Sequence, residues 1–88
     1  MKTKEGCELV KLGDSTFILE SDEPINKVIT FNSTAAYLWN AIKGQDFDVT
    51  DIAALLEEKY GITHNNAISD GLSIINEWKK VSLIIDHN

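Results

Sequence analysis

Ile25-Asn26-Lys27-Val28-Ile29-Thr30-Phe31 runs directly into Asn32-Ser33-Thr34-Ala35-Ala36-Tyr37-Leu38-Trp39-Asn40-Ala41-Ile42, and the hydrophobic period changes at the join. The first half is rich in strand formers. In the second half Ala35, Leu38, Trp39 and Ile42 recur at i, i+3, i+4 and i+7, one face of a helix. Asn32 or Ser33 can accept from the first free backbone N–H groups, and Gly44 is a good stop. The chain therefore turns from strand to helix at about Phe31, and this divides it into two parts.

Upstream of the join lie two more strand signals. Cys7 to Gly13 carries Cys7, Leu9 and Leu12 between polar neighbours, and Thr16 to Glu20 is a β-branched and aromatic run. Gly13-Asp14-Ser15 separates them with turn chemistry, and Ser21 to Pro24, closed by the only Pro, is a second polar turn. Short turns favour antiparallel neighbours. The expectation is a three-stranded meander whose third strand, Ile25 to Phe31, lies at an edge of the sheet.

Downstream the chain stays helical. Asp48 is an N-cap with Asp51 three residues on, and Phe47 and Ile52 occupy the positions of a hydrophobic staple. Ile52, Leu55, Leu56 and Tyr60 form the expected buried face, and Gly61 ends it. A third helix runs from near Thr63 to about Val81. At about 100° per residue, Ile68, Leu72, Ile75, Gly71, Trp78, Ala67, Ile74 and Val81 cover roughly half of its circumference. That is wider than the roughly 100° stripe needed to dock on one core. The excess can pack on the sheet or line a groove. Asp70, Ser73, Glu77 and Lys80 take the opposite side, and a short apolar tail, Leu83-Ile84-Ile85, closes the pattern. The fold class is α+β: a three-stranded antiparallel β-meander followed by three helices. Residues 1–88 read as a single domain, within the usual range of about 50 to 250 residues.

Composition narrows the function. The chain has 8 Lys+Arg, all of them Lys, against 14 Asp+Glu, for a formal net charge of −6. The absence of Arg and the acidic balance argue against nucleic acid and against an anionic membrane surface. Apolar runs fall far short of the roughly 20 residues that span a bilayer. Met1 to Glu5 is charged with no apolar stretch behind it, so no signal peptide is expected, and the reading is cytoplasmic.

Converging reactive groups are lacking. His64 and His87 have no Cys, His or carboxylate at metal-ligand spacing and read as solvated loop or tail residues. Cys7, the one cysteine, reads as a small strand side chain rather than a nucleophile. Asp46, Asp48 and Asp51 lack the Gly and distal Glu of a calcium loop, and capping accounts for Asp48 and Asp51. No metal, no cofactor and no enzymatic activity are expected.

Asn32-Ser33-Thr34-Ala35-Ala36-Tyr37-Leu38-Trp39 resembles the N-x-T/S-A-A-x-x-W segment of the PqqD-like family, named for pyrroloquinoline quinone biosynthesis protein D. Gly44 and Asp48-Val49-Thr50-Asp51-Ile52-Ala53 resemble its second-helix start, and Leu55 to Gly61 its L-x-x-x-Y-G/D ending. Asp70, Leu72, Ile75 and Trp78 resemble its third helix, and Leu83-Ile84 its closing G-L-I. The likeness covers about residues 6 to 85. Single motifs are mostly caps and core; their order and spacing carry the specificity. Ser82 stands where the family usually has Gly, and Asp48 where Thr is common.

The resemblance implies a winged-helix-like, non-catalytic peptide chaperone. Such a domain binds the leader segment of a ribosomally made precursor peptide by strand addition to the third strand, against the third helix. It presents the leader to a modifying enzyme, such as a radical S-adenosylmethionine protein or a leader protease. Carried onto this sequence, the peptide-binding residues are Asn26, Lys27, Val28, Ile29 and Thr30 on the strand. On the helix they are Ala67, Asp70, Gly71, Ile74 and Glu77, with Ile74 as floor and Asp70 and Glu77 selecting a basic or polar residue. With no catalytic domain in view, action in trans is expected. Which face of the strand meets the groove stays open. An exposed edge can also pair with a second copy of itself, giving a homodimer, or be capped by the Leu83–Ile85 tail. The alternatives are a protein–protein adaptor of the same fold and a winged-helix DNA-binding domain. The latter is opposed by a third helix in which Asp70 and Glu77 offset Lys79 and Lys80.

Overall fold

The computed structural model describes residues 1–20 and 28–85, with Glu20 and Val28 as backbone only. The elements are β1 (Lys2–Thr3), β2 (Cys7–Leu12), β3 (Ser15–Glu20), β4 (Val28–Phe31), α1 (Ser33–Ile42), α2 (Val49–Tyr60), α3 (His64–Lys80) and β5 (Ile84–Ile85). β2, β3 and β4 form an antiparallel sheet in that order, and β1 pairs with β5 in a second, two-stranded one. The architecture is the α+β meander and three helices expected, and β4 is the expected third strand. The expected Ile25–Phe31 span is described only from Val28; Ile25, Asn26 and Lys27 lie outside the described residues.

Local chemistry sets each boundary. Leu12 pairs with Ser15, so Gly13 and Asp14 alone make the β2–β3 turn, with Gly13 at φ +58°. Asn32 caps α1, its Oδ1 accepting from the Ala35 N–H at 2.8 Å. Asp48 caps α2 in a full capping box: its carboxylate accepts from the Asp51 N–H at 3.2 Å, and Asp51 Oδ2 accepts from the Asp48 N–H at 2.9 Å. The Thr50 hydroxyl also donates to Asp48. That bond, followed by the Asp51 N–H, holds the Asp48 carboxyl below its ordinary value. Phe47 and Ile52 are both buried, as the staple requires.

Helices α1 and α3 meet the sheet around an aromatic cluster. Phe31, the last residue of β4, stacks on Trp78 of α3, with ring centroids 5.4 Å apart and planes at 14°. Trp39 of α1 meets both rings edge-on, at 5.8 Å from Phe31 and 5.4 Å from Trp78. All three side chains are buried. Ile18 joins them from β3. Helices α2 and α3 pack closely, and Gly71 makes this possible: a Cβ there would meet Ile52 Cγ2 at 3.2 Å and Val49 Cγ2 at 3.5 Å.

The structure departs from the sequence expectations in several places. The charged N-terminal residues, with no pattern of their own, form β1. They are tied down by Lys4 N–H to Leu83 O at 2.7 Å and Phe47 N–H to Met1 O at 2.9 Å. Two residues are too few to show a period, so this strand was invisible. Tyr60, expected on the buried face of α2, is 44% exposed at that helix's last turn, and Leu72 is 46% exposed on α3. The buried stripe of α3 is Ala67, Gly71, Ile75 and Trp78, narrower than its apolar arc. Ser82 takes φ +62°. It closes α3 in a Schellman motif, with Leu83 N–H to Trp78 O at 2.8 Å and Ser82 N–H to Lys79 O at 3.1 Å.

Two stability measurements follow. Phe31→Ala removes the ring on which both tryptophans rest. Denaturant unfolding should show a loss of about 3–5 kcal/mol, a large share of the roughly 5–15 kcal/mol of a small domain. Ser82→Gly should stabilise. Left-handed backbone costs a side-chain-bearing residue about 1–2 kcal/mol, and added unfolded-state entropy takes back about 0.4–1 kcal/mol. The expected gain is about 0.5–1 kcal/mol.

Candidate functional site

β4 pairs with β3 on one side only; among the described residues no strand pairs with its outer edge. The apolar tail that was a candidate to cover that edge goes elsewhere, pairing as β5 with β1 through Thr3↔Ile84 and Lys2↔Ile85. A free edge leaves backbone N–H and C=O groups that need partners. The face left open in the sequence is also assigned. Ile29 lies opposite Ile18, which is buried, and shares its side of the sheet with buried Phe31. Thr30 lies opposite Phe17 on the other side and is exposed.

Between β4 and α3 runs a cleft of about 340 Å³. Ile29, Thr30 and Phe31 form one wall, Glu77, Trp78, Lys80 and Val81 the other, and Asn32 and Ala35 close the end. The stacked Phe31 and Trp78 rings lie at its base, so its position follows from the aromatic cluster. Charged Glu77 and Lys80 belong to the α3 wall. Among the described residues, this arrangement presents an unpaired strand edge next to apolar surface.

A second cleft, of about 450 Å³, adjoins it and shares Asn32 and Glu77. Three helices build it: Asn32 and Thr34 at the start of α1, Leu56 and Tyr60 from α2, Asp70, Ser73, Ile74 and Glu77 from α3, with Ile62 between the last two. The Tyr60 hydroxyl and Thr34 Oγ1 share a hydrogen bond of 3.0 Å, joining the end of α2 to the start of α1.

The residues picked out in the sequence fall into three groups. Val28, Ile29 and Thr30 form the free strand, and Asp70, Ile74 and Glu77 line the three-helix cleft. Ala67 and Gly71 are buried, Gly71 against Ile52 and Val49 of α2. They support α3 from behind and line neither cleft, because the side of α3 that carries them is the one α2 covers. Asn26 and Lys27 lie outside the described residues. The sequence reading missed Phe31, Trp78 and Val81 as groove walls, and Thr34, Leu56, Tyr60 and Ile62 as walls of the second cleft. Tyr60, a large amphipathic ring at a helix end, carried a signal; the approach of Thr34 to it did not.

No group of three or more His, Cys, Asp or Glu among the described residues is arranged to hold a metal ion. His64 sits in an exposed pair with Glu57, Nδ1 to Oε2 at 3.2 Å. No helix of the described residues is long and apolar enough to cross a membrane.

Residues 9–84 match the family Coenzyme PQQ synthesis protein D (PqqD). No curated protein matches the sequence. Among solved structures, the chain is similar to TbiB1 in complex with the TbiA(beta) leader peptide, with a TM-score of 0.78 and 10% identity over 100% of this chain and 99% of that one. It is also similar to lasso peptide synthetase B1 complexed with the leader peptide, with a TM-score of 0.75 and 14% identity over 97% and 96%. The chain belongs to the PqqD family.

The division between supporting and lining residues is measurable. Gly71→Val should overpack the α2–α3 contact and cost about 1–3 kcal/mol in denaturant unfolding. Glu77→Gln, on an exposed rim, should stay within about 0.5 kcal/mol of the parent.

Proposed function

We propose that this PqqD-family chain is a non-catalytic peptide chaperone, a single recognition domain over residues 1–88. It binds the leader segment of a ribosomally made precursor peptide, by antiparallel strand addition to β4, and presents it to a modifying enzyme. The observation that carries the reading is the outer edge of β4, which no strand of the described residues pairs with, beside the cleft shared with α3. Two structures alike over nearly the whole chain hold leader peptides, which supports the same use here.

Magnitudes divide the labour between edge and cleft. Four residues of strand offer about four main-chain hydrogen bonds, at roughly 1 kcal/mol net each. That is about half of the roughly 8 kcal/mol of a micromolar complex. Apolar leader side chains buried against Phe31, Trp78 and Val81, at about 25 cal/mol per Å², supply the rest. The backbone of Asn26, Lys27, Val28, Ile29 and Thr30 is thus the general element. Ile74 acts as a floor, and Asp70 and Glu77 select a basic or polar leader residue. Ala67 and Gly71 contribute by holding α3 against α2.

The enzyme partner is a radical S-adenosylmethionine enzyme or a leader protease, and the domain works in the cytoplasm where precursors are made. Holding peptide and enzyme together raises effective concentration rather than supplying chemistry. Pairing of two β4 edges in a homodimer competes for the same groups and would be displaced by the leader.

The test is a titration of isotopically labelled protein with the synthetic leader of a short precursor encoded near this gene. Amide shifts should concentrate on Val28–Phe31 and on the cleft side of α3. N-methylation of the leader residues that face the edge should weaken binding at least tenfold, while N-methylation of the alternate residues has little effect. With a net charge of −6, affinity should fall as salt rises. Saturation at another surface, or equal effects of both N-methylation patterns, would replace strand addition with the adaptor reading.

A further inference from the structure

The cleft formed by the three helices lies beyond one particular end of β4. The strand runs from Val28 to Phe31, and the cleft begins at Asn32 and Thr34, immediately after it. An added antiparallel strand runs the opposite way, so its first residues lie beside Phe31 and its last beside Val28. Whatever side chain enters the cleft therefore belongs to the leader upstream of the paired segment.

The cleft's walls state what that side chain is. Leu56, Ile62 and Ile74 give it apolar surface; Asp70 and Glu77 give it two carboxylates, and no cationic side chain lines it. The Tyr60 ring, 44% exposed, stands at the same opening. An aliphatic stem with a cationic head fits this combination: the stem lies along the apolar wall and the head reaches the carboxylates and the aromatic face. We propose that the three-helix cleft is a specificity subsite for a Lys or Arg side chain of the leader, placed N-terminal to the segment that pairs with β4. The inference rests on the reading of β4 as the leader's docking edge. It also gives the bound peptide a direction: the part to be modified, which follows the leader, leaves past Val28, away from the three-helix cleft.

The test uses the full chain and a random-peptide library displayed on its encoding RNA, selected in parallel on the wild type and on the double variant Asp70→Asn, Glu77→Gln. Wild-type selection should enrich peptides with an alternating apolar segment and a Lys or Arg at a fixed spacing on its N-terminal side. The double variant should keep the apolar pattern and lose the fixed cation. A selected peptide should bind the double variant about fivefold more weakly, as for two partly exposed ion pairs of about 0.5 kcal/mol each. Its norleucine analogue should bind both proteins alike. General attraction to an acidic protein would enrich cations at no fixed position. Cations without fixed spacing, on the C-terminal side, or retained by the double variant would overturn the subsite and leave strand addition standing. Selected peptides that shift no amides at Val28–Phe31 would overturn strand addition, and the subsite with it.

Discussion

The stacking of Phe31 on Trp78, with Trp39 closing the cluster edge-on, is the contact on which the rest of this structure depends. One ring ends β4, one belongs to α1 and one to α3. Their packing fixes the distance between the last strand and the last helix. It therefore sets the width of the cleft between them, and it does so with side chains that are themselves part of the cleft's walls. The cluster joins the sheet to α1 and α3 at once, and α2 is held through its packing on α3.

That economy has consequences for function. For the proposed peptide site, walls built on packed aromatic rings mean that little of the protein has to be ordered on binding. The ordering cost falls on the peptide, and main-chain pairing along four residues is too short to offset it alone. In the proposed strand addition, recognition then rests on side chains entering the two adjoining clefts. These differ in chemistry: one is based on apolar rings with charges of both signs on its α3 wall, the other has apolar walls and two carboxylates. Gly71 serves both from behind, because the close approach of α2 and α3 sets where Ile74 and Glu77 stand.

The chain's ends matter to the site in a less direct way. β1 and β5 pair with each other, and Lys4 bonds to Leu83 across them. This pairing takes up the apolar tail and leaves the edge of β4 without a partner among the described residues. The Schellman turn at Ser82 is what redirects the chain from the end of α3 toward β1. Ser at a left-handed position is a local strain accepted for that direction.

Much of this was legible residue by residue. The change of period at Phe31, a cap at Asn32 or Ser33, the cap at Asp48, the staple of Phe47 and Ile52, the start of α3 near Thr63 and the stops at Gly44 and Gly61 all rest on interactions within a few residues. Sequence spacing reports such interactions directly. It also placed Ile74 on the apolar arc of α3 and Asp70 and Glu77 on its polar side. What it left undecided depends on residues far apart in the chain: which strand the tail joins, which half of the wide apolar arc of α3 meets α2, and which neighbours turn Tyr60 and Thr34 into one wall. Local patterns determine elements and their faces, because helix and strand periods are short-range. Only the packed structure decides which faces are left uncovered, because that depends on how every other element has already been buried.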